Sequence, residues 1–117
     1  MEYMLLIYHS EENGKKMSAA EQGQMYQDYM AFTQDLTKSG KNKGGAPLEQ
    51  TTTATTVRVR NGKTTVTDGP FAETKEQLGG YYLVEAKDLD EAISIAARIP
   101  GAKFGSIEVR PIRKIDM

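Results

Sequence analysis

Tyr3-Met4-Leu5-Leu6-Ile7-Tyr8 is an unbroken run of six apolar and aromatic residues close to the N-terminus. The run is short and rich in strand formers, and it has none of the polar alternation of a half-exposed strand. It therefore reads as a strand buried on both faces. A second run of the same kind, Tyr81-Tyr82-Leu83-Val84, stands before Glu85. Two such strands set the terms for everything around them, because whatever covers one face leaves the other to be covered too.

His9 to Met17 is polar and reads as a loop. Ser18-Ala-Ala-Glu21 is a capping box, with a hydroxyl and a carboxylate placed to satisfy orphan amides at a helix start. Met25, Tyr29, Phe32 and Leu36 follow at helical spacing, with Tyr26, Met30 and Thr33 alongside, and Gly40 suits the left-handed residue that ends a helix. Lys41 to Thr55, with its Gly44-Gly45-Ala46-Pro47 turn signals, reads as a loop holding a short edge strand. The Thr-rich run Thr51 to Thr56 also reads as edge strand. Val57-Arg-Val-Arg60, Asn61-Gly62 and Lys63 to Thr67 form a hairpin with a type I′ turn, which places Val57 opposite Val66. Ala72 to Leu78 is polar and suits a short helical turn, and Gly79-Gly80 leads into the second buried strand.

Asp88-Leu-Asp-Glu91 opens a second helix whose stripe is Leu89, Ala92, Ile93, Ala96 and Ile99, stopped by Pro100-Gly101. A last strand from about Phe104 to Val109 places Pro111 at its end or on an edge. The order strand, helix, hairpin, strand, helix, strand predicts one α+β domain over residues 1–117. Its form is a ferredoxin-like β-α-β-β-α-β sandwich, an antiparallel sheet with both helices on one face. Two helices cover one face only. The strands Tyr3–Tyr8 and Tyr81–Val84 then expose a patch of Tyr, Met and Leu that monomers rarely tolerate. A homodimer paired through that face is the expectation.

Composition narrows the function. Fifteen Lys and Arg against sixteen Asp and Glu leave a net charge of −1, with no basic stripe for nucleic acid. The chain has no Cys and a single His, His9. Thiolate chemistry, Cys-ligated zinc and iron–sulfur sites are excluded, and a transition-metal shell is left without its usual ligands. No Gly-rich dinucleotide fingerprint follows a strand, and no cofactor is expected. A hard-cation site from Asp68, Glu73 and Glu76 is disfavoured by Lys75 among them. The start of the chain lacks a basic leader and its apolar run is too short to span a membrane, so a cytoplasmic protein with no membrane partner is expected.

Val66-Thr-Asp-Gly-Pro-Phe-Ala-Glu-Thr-Lys-Glu-Gln-Leu-Gly-Gly80 closely resembles the DGPF subgroup of the YCII-related family. The resemblance continues through Tyr82-Leu-Val84, Asp88-Leu-Asp-Glu-Ala92, Ala97-Arg-Ile-Pro100 and Gly105-Ser-Ile-Glu-Val-Arg-Pro111. It implies a dimeric α/β barrel, similar to muconolactone isomerases and to small haem-handling or quinol-oxidising monooxygenases. It also implies a link in some members to sigma-factor-like regulators, and in others a His/acid pair as active site. Many relatives carry that His eleven residues before the helix-ending glycine. Tyr29 stands there in this chain, and Lys38-Ser39 occupies the place of the nearby acid.

The candidate chemistry is therefore carried by side chains alone. Asp68-Gly-Pro-Phe71 is a turn in which Asp accepts amide hydrogen bonds and Phe packs underneath. Alternatively it is a loop holding a carboxylate at a pocket mouth. In the second reading Asp68 and Glu73 are the acid/base groups, Lys75 holds an anionic substrate, and Phe71 lines the site. Tyr29 is either core or a catalytic phenol. His9, at the end of a central strand, is either exposed or a ligand-binding base near neutral pH. Two classes of function follow: a cofactor-independent acid/base enzyme on a small organic substrate, or a non-catalytic ligand-binding or regulatory partner module.

Overall fold

The capping box forms as the sequence predicts. The Ser18 hydroxyl accepts the Glu21 amide at 3.1 Å, and the Glu21 carboxylate accepts the Ser18 amide at 2.9 Å. In the computed structural model, which describes residues 1–116, nine elements follow in order. They are β1 (Glu2–His9), α1 (Glu11–Gly14), α2 (Ala19–Lys38), β2 (Asn42–Pro47), β3 (Thr55–Arg60), β4 (Lys63–Asp68), β5 (Gln77–Glu85), α3 (Leu89–Arg98) and β6 (Ser106–Pro111). Single 3-10 turns lie at Thr51–Thr53 and Pro100–Lys103.

Four strands make one antiparallel sheet in the order β2-β5-β1-β6. β1 sits inside it and is paired on both sides. Its alternate residues Tyr3, Leu5 and Ile7 are buried toward α2 and α3. They meet Phe32 and Leu36 from α2 and Ala92, Ile95 and Ala96 from α3, with Ile99 and Val84 closing the core. Leu5 and Leu36 are wholly buried, and truncating either to Ala should cost roughly 2–5 kcal/mol. The register Met4↔Leu83, Leu6↔Tyr81 and Tyr8↔Leu78 puts the other residues of both strands on the helix-free face. All six are only partly buried. The fold is the expected ferredoxin-like α+β sandwich, and its second apolar face is the one the unbroken runs require.

Several local expectations are corrected. The Asn61-Gly62 hairpin has the expected Val57↔Val66 register, with Asn61 at φ 53°, but it forms a sheet of its own. The sheet position beside β5 goes to β2, whose Asn-Lys-Gly-Gly-Ala-Pro sequence is poor in strand formers. An edge strand needs only one set of ladder bonds, so Pro47 is tolerated there. Thr51–Thr53 turns as 3-10 helix, and only Thr55 and Thr56 of the Thr-rich run join a strand. The polar segment after His9 contains α1, capped by Ser10, whose hydroxyl accepts the Asn13 amide at 3.1 Å. No helical turn forms at Ala72 to Leu78, since Gln77 and Leu78 already belong to β5. The last strand begins at Ser106 and reaches Pro111 at the sheet's edge. In α3 the buried stripe is Ala92, Ile95 and Ala96, leaving Leu89 and Ile93 about half exposed at 50% and 49%.

Candidate functional site

The C-terminal end of β1 delivers His9 into a gap made by two glycines. Gly79 is the extra residue of a bulge in β5, between the pairs Ile7↔Gly80 and Tyr8↔Leu78. A Cβ at Gly79 would lie 2.2 Å from His9 Cε1 and 2.7 Å from Nδ1, so the imidazole occupies the space where a side chain would be. On the other side, a Cβ at Gly105 would lie 2.0 Å from the Tyr8 carbonyl oxygen and 3.1 Å from His9 Cα. The Gly79 carbonyl accepts the Leu48 amide at 2.8 Å, which ties the segment after β2 to the same place.

Around this histidine the loops bind one another through polar side chains. The Gln77 side-chain oxygen accepts the Glu11 amide at 2.9 Å. The Glu11 carboxylate accepts both the amide and the hydroxyl of Thr51, at 2.9 and 2.7 Å. Ser106 donates its hydroxyl to Glu76 at 2.9 Å. Between α1, the start of α2 and the Gln50 loop lies an open groove of about 480 Å³, lined by His9, Glu11, Gly14, Lys15, Gln22 and Gln50. Partial burial pushes the Glu11 carboxyl up. The Thr51 hydroxyl and amide, helped by His9 and Lys15, outweigh that and hold it below the usual carboxylate range. Glu11 is thus a fixed negative charge beside the imidazole rather than a carrier of protons. The groove combines the His9 imidazole with one cation, Lys15, and two side-chain amides, Gln22 and Gln50.

The residues picked out in the sequence fall in three separate places. His9 is in the groove. Tyr29 is in the layer between α2 and the sheet, where its hydroxyl accepts the Gly101 amide at 3.2 Å. Burial pushes its phenol up, Gly101 pulls the other way, and Tyr82 adds to the rise. Asp68 ends β4 opposite Thr55, and Phe71, Glu73 and Lys75 follow on the loop that runs into Glu76 and Gln77. All four are exposed, Phe71 by 80%. Phe71 therefore does not pack beneath its turn within one chain. The turn is closed instead by the Gly69 amide on Ala54 at 2.7 Å and the Thr56 hydroxyl on the Gly69 carbonyl at 2.8 Å. Among the described residues no hydrogen bond or ion pair joins Asp68, Glu73 and Tyr29, and no group of three or more His, Asp or Glu side chains gathers as a metal shell would.

The profile of the YCII-related domain matches residues 1–116. The chain belongs to the YCII-related family. An uncharacterised protein of Rhizobium meliloti (strain 1021) is 41% identical over 114 residues, spanning 96% of this chain and 92% of the relative. Among solved structures, a 5-chloro-2-hydroxyhydroquinone dehydrochlorinase from Burkholderia phenoliruptrix AC1100, in complex with 2,5-dihydroxybenzoquinone, superposes with a TM-score of 0.58. It is 16% identical, with 97% of this chain and 94% of that chain covered. At that identity the likeness is one of fold.

In this YCII-related chain, Glu11, Gln50, Thr51 and Gln77 carry the groove without having stood out in the sequence. Their contacts join segments as much as 66 residues apart, so no local spacing marks them. Gly79-Gly80 was the one readable signal, because paired glycines inside a strand mark a bulge or a close approach.

Proposed function

We propose that this chain is a small-molecule-binding protein of the DGPF branch of its family. In this reading it works as a homodimer and takes a small polar organic molecule, without a cofactor, in the His9 groove. The observation that carries the reading is the seating of His9 in the space left by Gly79, which sets the imidazole at the groove beside an ionised Glu11. His9 would move a proton on the bound molecule, and Lys15 would hold a developing oxyanion. The complex of the dehydrochlorinase with a dihydroxybenzoquinone supports the choice of substrate class, a compact ring bearing acidic hydroxyls. Asp68, Glu73, Lys75 and Phe71 enter this reading as groups of a loop that closes over the groove, since that loop runs directly into Glu76 and Gln77.

A second reading is binding without turnover, as a ligand-dependent regulatory module. It is favoured by Tyr29, which stands where many relatives carry a His and whose hydroxyl is engaged by Gly101. Native mass spectrometry of freshly purified protein tests for a retained ligand. Titration with 2,5-dihydroxybenzoquinone, comparing the parent with His9→Asn, then locates the site. Binding that is indifferent to His9→Asn would end the groove reading. Binding that needs His9, with the ligand recovered unchanged, would select the module.

A further inference from the structure

The Thr55–Asp68 ribbon is built as an arm. Strands β3 and β4 pack chiefly on each other. With the ribbon extended from the body, the radius of gyration is 16.3 Å, where a compact chain of this length would have about 13 Å. Its two faces differ sharply. Val57, Val59 and Val66 share one, all more than half exposed at 60%, 57% and 64%. Arg58, Arg60 and Lys63 share the other. An isolated two-stranded ribbon is marginal in water and needs a surface under its apolar face.

We infer that this ribbon is an exchange arm whose valine face lies along the margin of the helix-free sheet face of a second copy of the chain. The inference rests on reading that face as the self-association surface, and adds where the ribbon goes. The amounts of surface favour it. A sheet four strands wide and six residues long, the length of the β1–β6 ladder, gives a flat footprint of roughly 20 × 19 Å, or ~380 Å², about half of the ~800 Å² per partner of a standard stable interface. A ribbon of the same length and two strands adds ~200 Å². Because the received arm lies on sheet already counted, each protomer gains that area once, and sheet face and arm together reach ~580 Å², close to the ~600 Å² per partner at the low end of stable interfaces. The basic face of the arm stays in water.

The register supplies a clean test. Thr55 and Asp68 are paired across the root of the arm, so residues 56–67 can be replaced by an Asn-Gly turn like the one at its tip. Sedimentation velocity should give the parent a mass of about twice 12.9 kDa. The shortened chain, its far-ultraviolet spectrum retaining the sheet and helices, should dissociate at least about a hundred-fold more readily. The double variant Val57→Lys, Val66→Glu, which keeps an attractive pair across the ribbon, should weaken association likewise, and both sites are too exposed for it to unfold one chain. A photo-crosslinking benzoylphenylalanine at position 66, in a mixture of isotope-labelled and unlabelled protein, should join to a strand of the four-stranded sheet in the other copy. A shortened chain that dimerises as tightly as the parent would overturn the arm and leave the sheet-face reading standing. A monomeric parent would remove both. Crosslinks within one chain, to the helices, or to a different protein would also overturn the arm.

Discussion

Gly79→Ala should disable the candidate site while leaving the fold intact. The added Cβ would lie 2.2 Å from His9 Cε1, and ordinary contact begins near 3.4 Å, so the ring must retreat by at least 3.4 − 2.2 = 1.2 Å. Gly79 does not hold the positive φ that alanine resists. His9 borders the open groove, so the ring has somewhere to go. Removing a glycine from the unfolded chain stabilises by about 0.4–1 kcal/mol, and an off-rotamer imidazole costs about 0.5–1.5 kcal/mol. The two nearly cancel, and the melting point should stay within the equivalent of about 1 kcal/mol. A misplacement of about 1 Å, in contrast, costs on the order of a hundred-fold in a reacting geometry. His9 is the sole histidine, so its Cε1–H proton gives one imidazole resonance to follow by NMR through a pH titration and a ligand titration. That resonance should shift, and ligand affinity should fall at least about ten-fold. An unmoved resonance with full affinity would refute the positioning role. Global unfolding would show that Gly79 serves packing alone.

The neighbouring Gly105→Ala should behave oppositely, because its Cβ would meet the Tyr8 carbonyl at 2.0 Å and backbone cannot swing aside. A loss of roughly 1–3 kcal/mol by urea denaturation is expected, as for overpacking. Glu11→Gln tests the fixed charge. The Glu11 carboxyl lies below its ordinary value of 4.5 in the folded chain, so its stabilisation is complete above that value and is lost as pH falls through the lower folded one. The difference in melting point between parent and variant should therefore be greatest near neutrality and close in acid; a constant gap would count against the Thr51 contacts as its source. Tyr29→Phe keeps the ring and removes the acceptor of the Gly101 amide, costing about 1–2 kcal/mol. Faster hydrogen exchange at that amide, with ligand affinity unchanged, would mark a structural phenol, whereas a loss of affinity would restore it to the site. Asp68→Ala and Phe71→Ala, both at exposed positions, should alter the stability of a single chain by no more than about 0.5 kcal/mol. A larger effect at high protein concentration only would show that they are buried by association.

What the sequence could carry was whatever depends on near neighbours. The Ser18 capping box, the stripe Met25, Tyr29, Phe32 and Leu36, and the Asn61-Gly62 register all follow from rules that span a few residues. The two unbroken strands announced a sheet with a second apolar face. The choice of β2 as the neighbour of β5 was not legible, because Asn42–Pro47 has almost no strand propensity and its place is decided by the ladder it completes. The same holds for the gap around His9. Gly79 and Gly105 lie 70 and 96 residues further along the chain (79 − 9 and 105 − 9), and only the folded sheet brings the first against the His9 ring and the second against the Tyr8–His9 backbone. Tyr29 shows the limit from the other side: its helical spacing correctly put it in the packed layer, but the amide that engages its hydroxyl belongs to Gly101. Sequence periodicity determines which stripe of a helix or strand faces inward, though Leu89 and Ile93 at the margin of theirs stay half exposed. Which polar groups meet there is decided by tertiary structure, because those meetings depend on distances between segments that no local rule constrains.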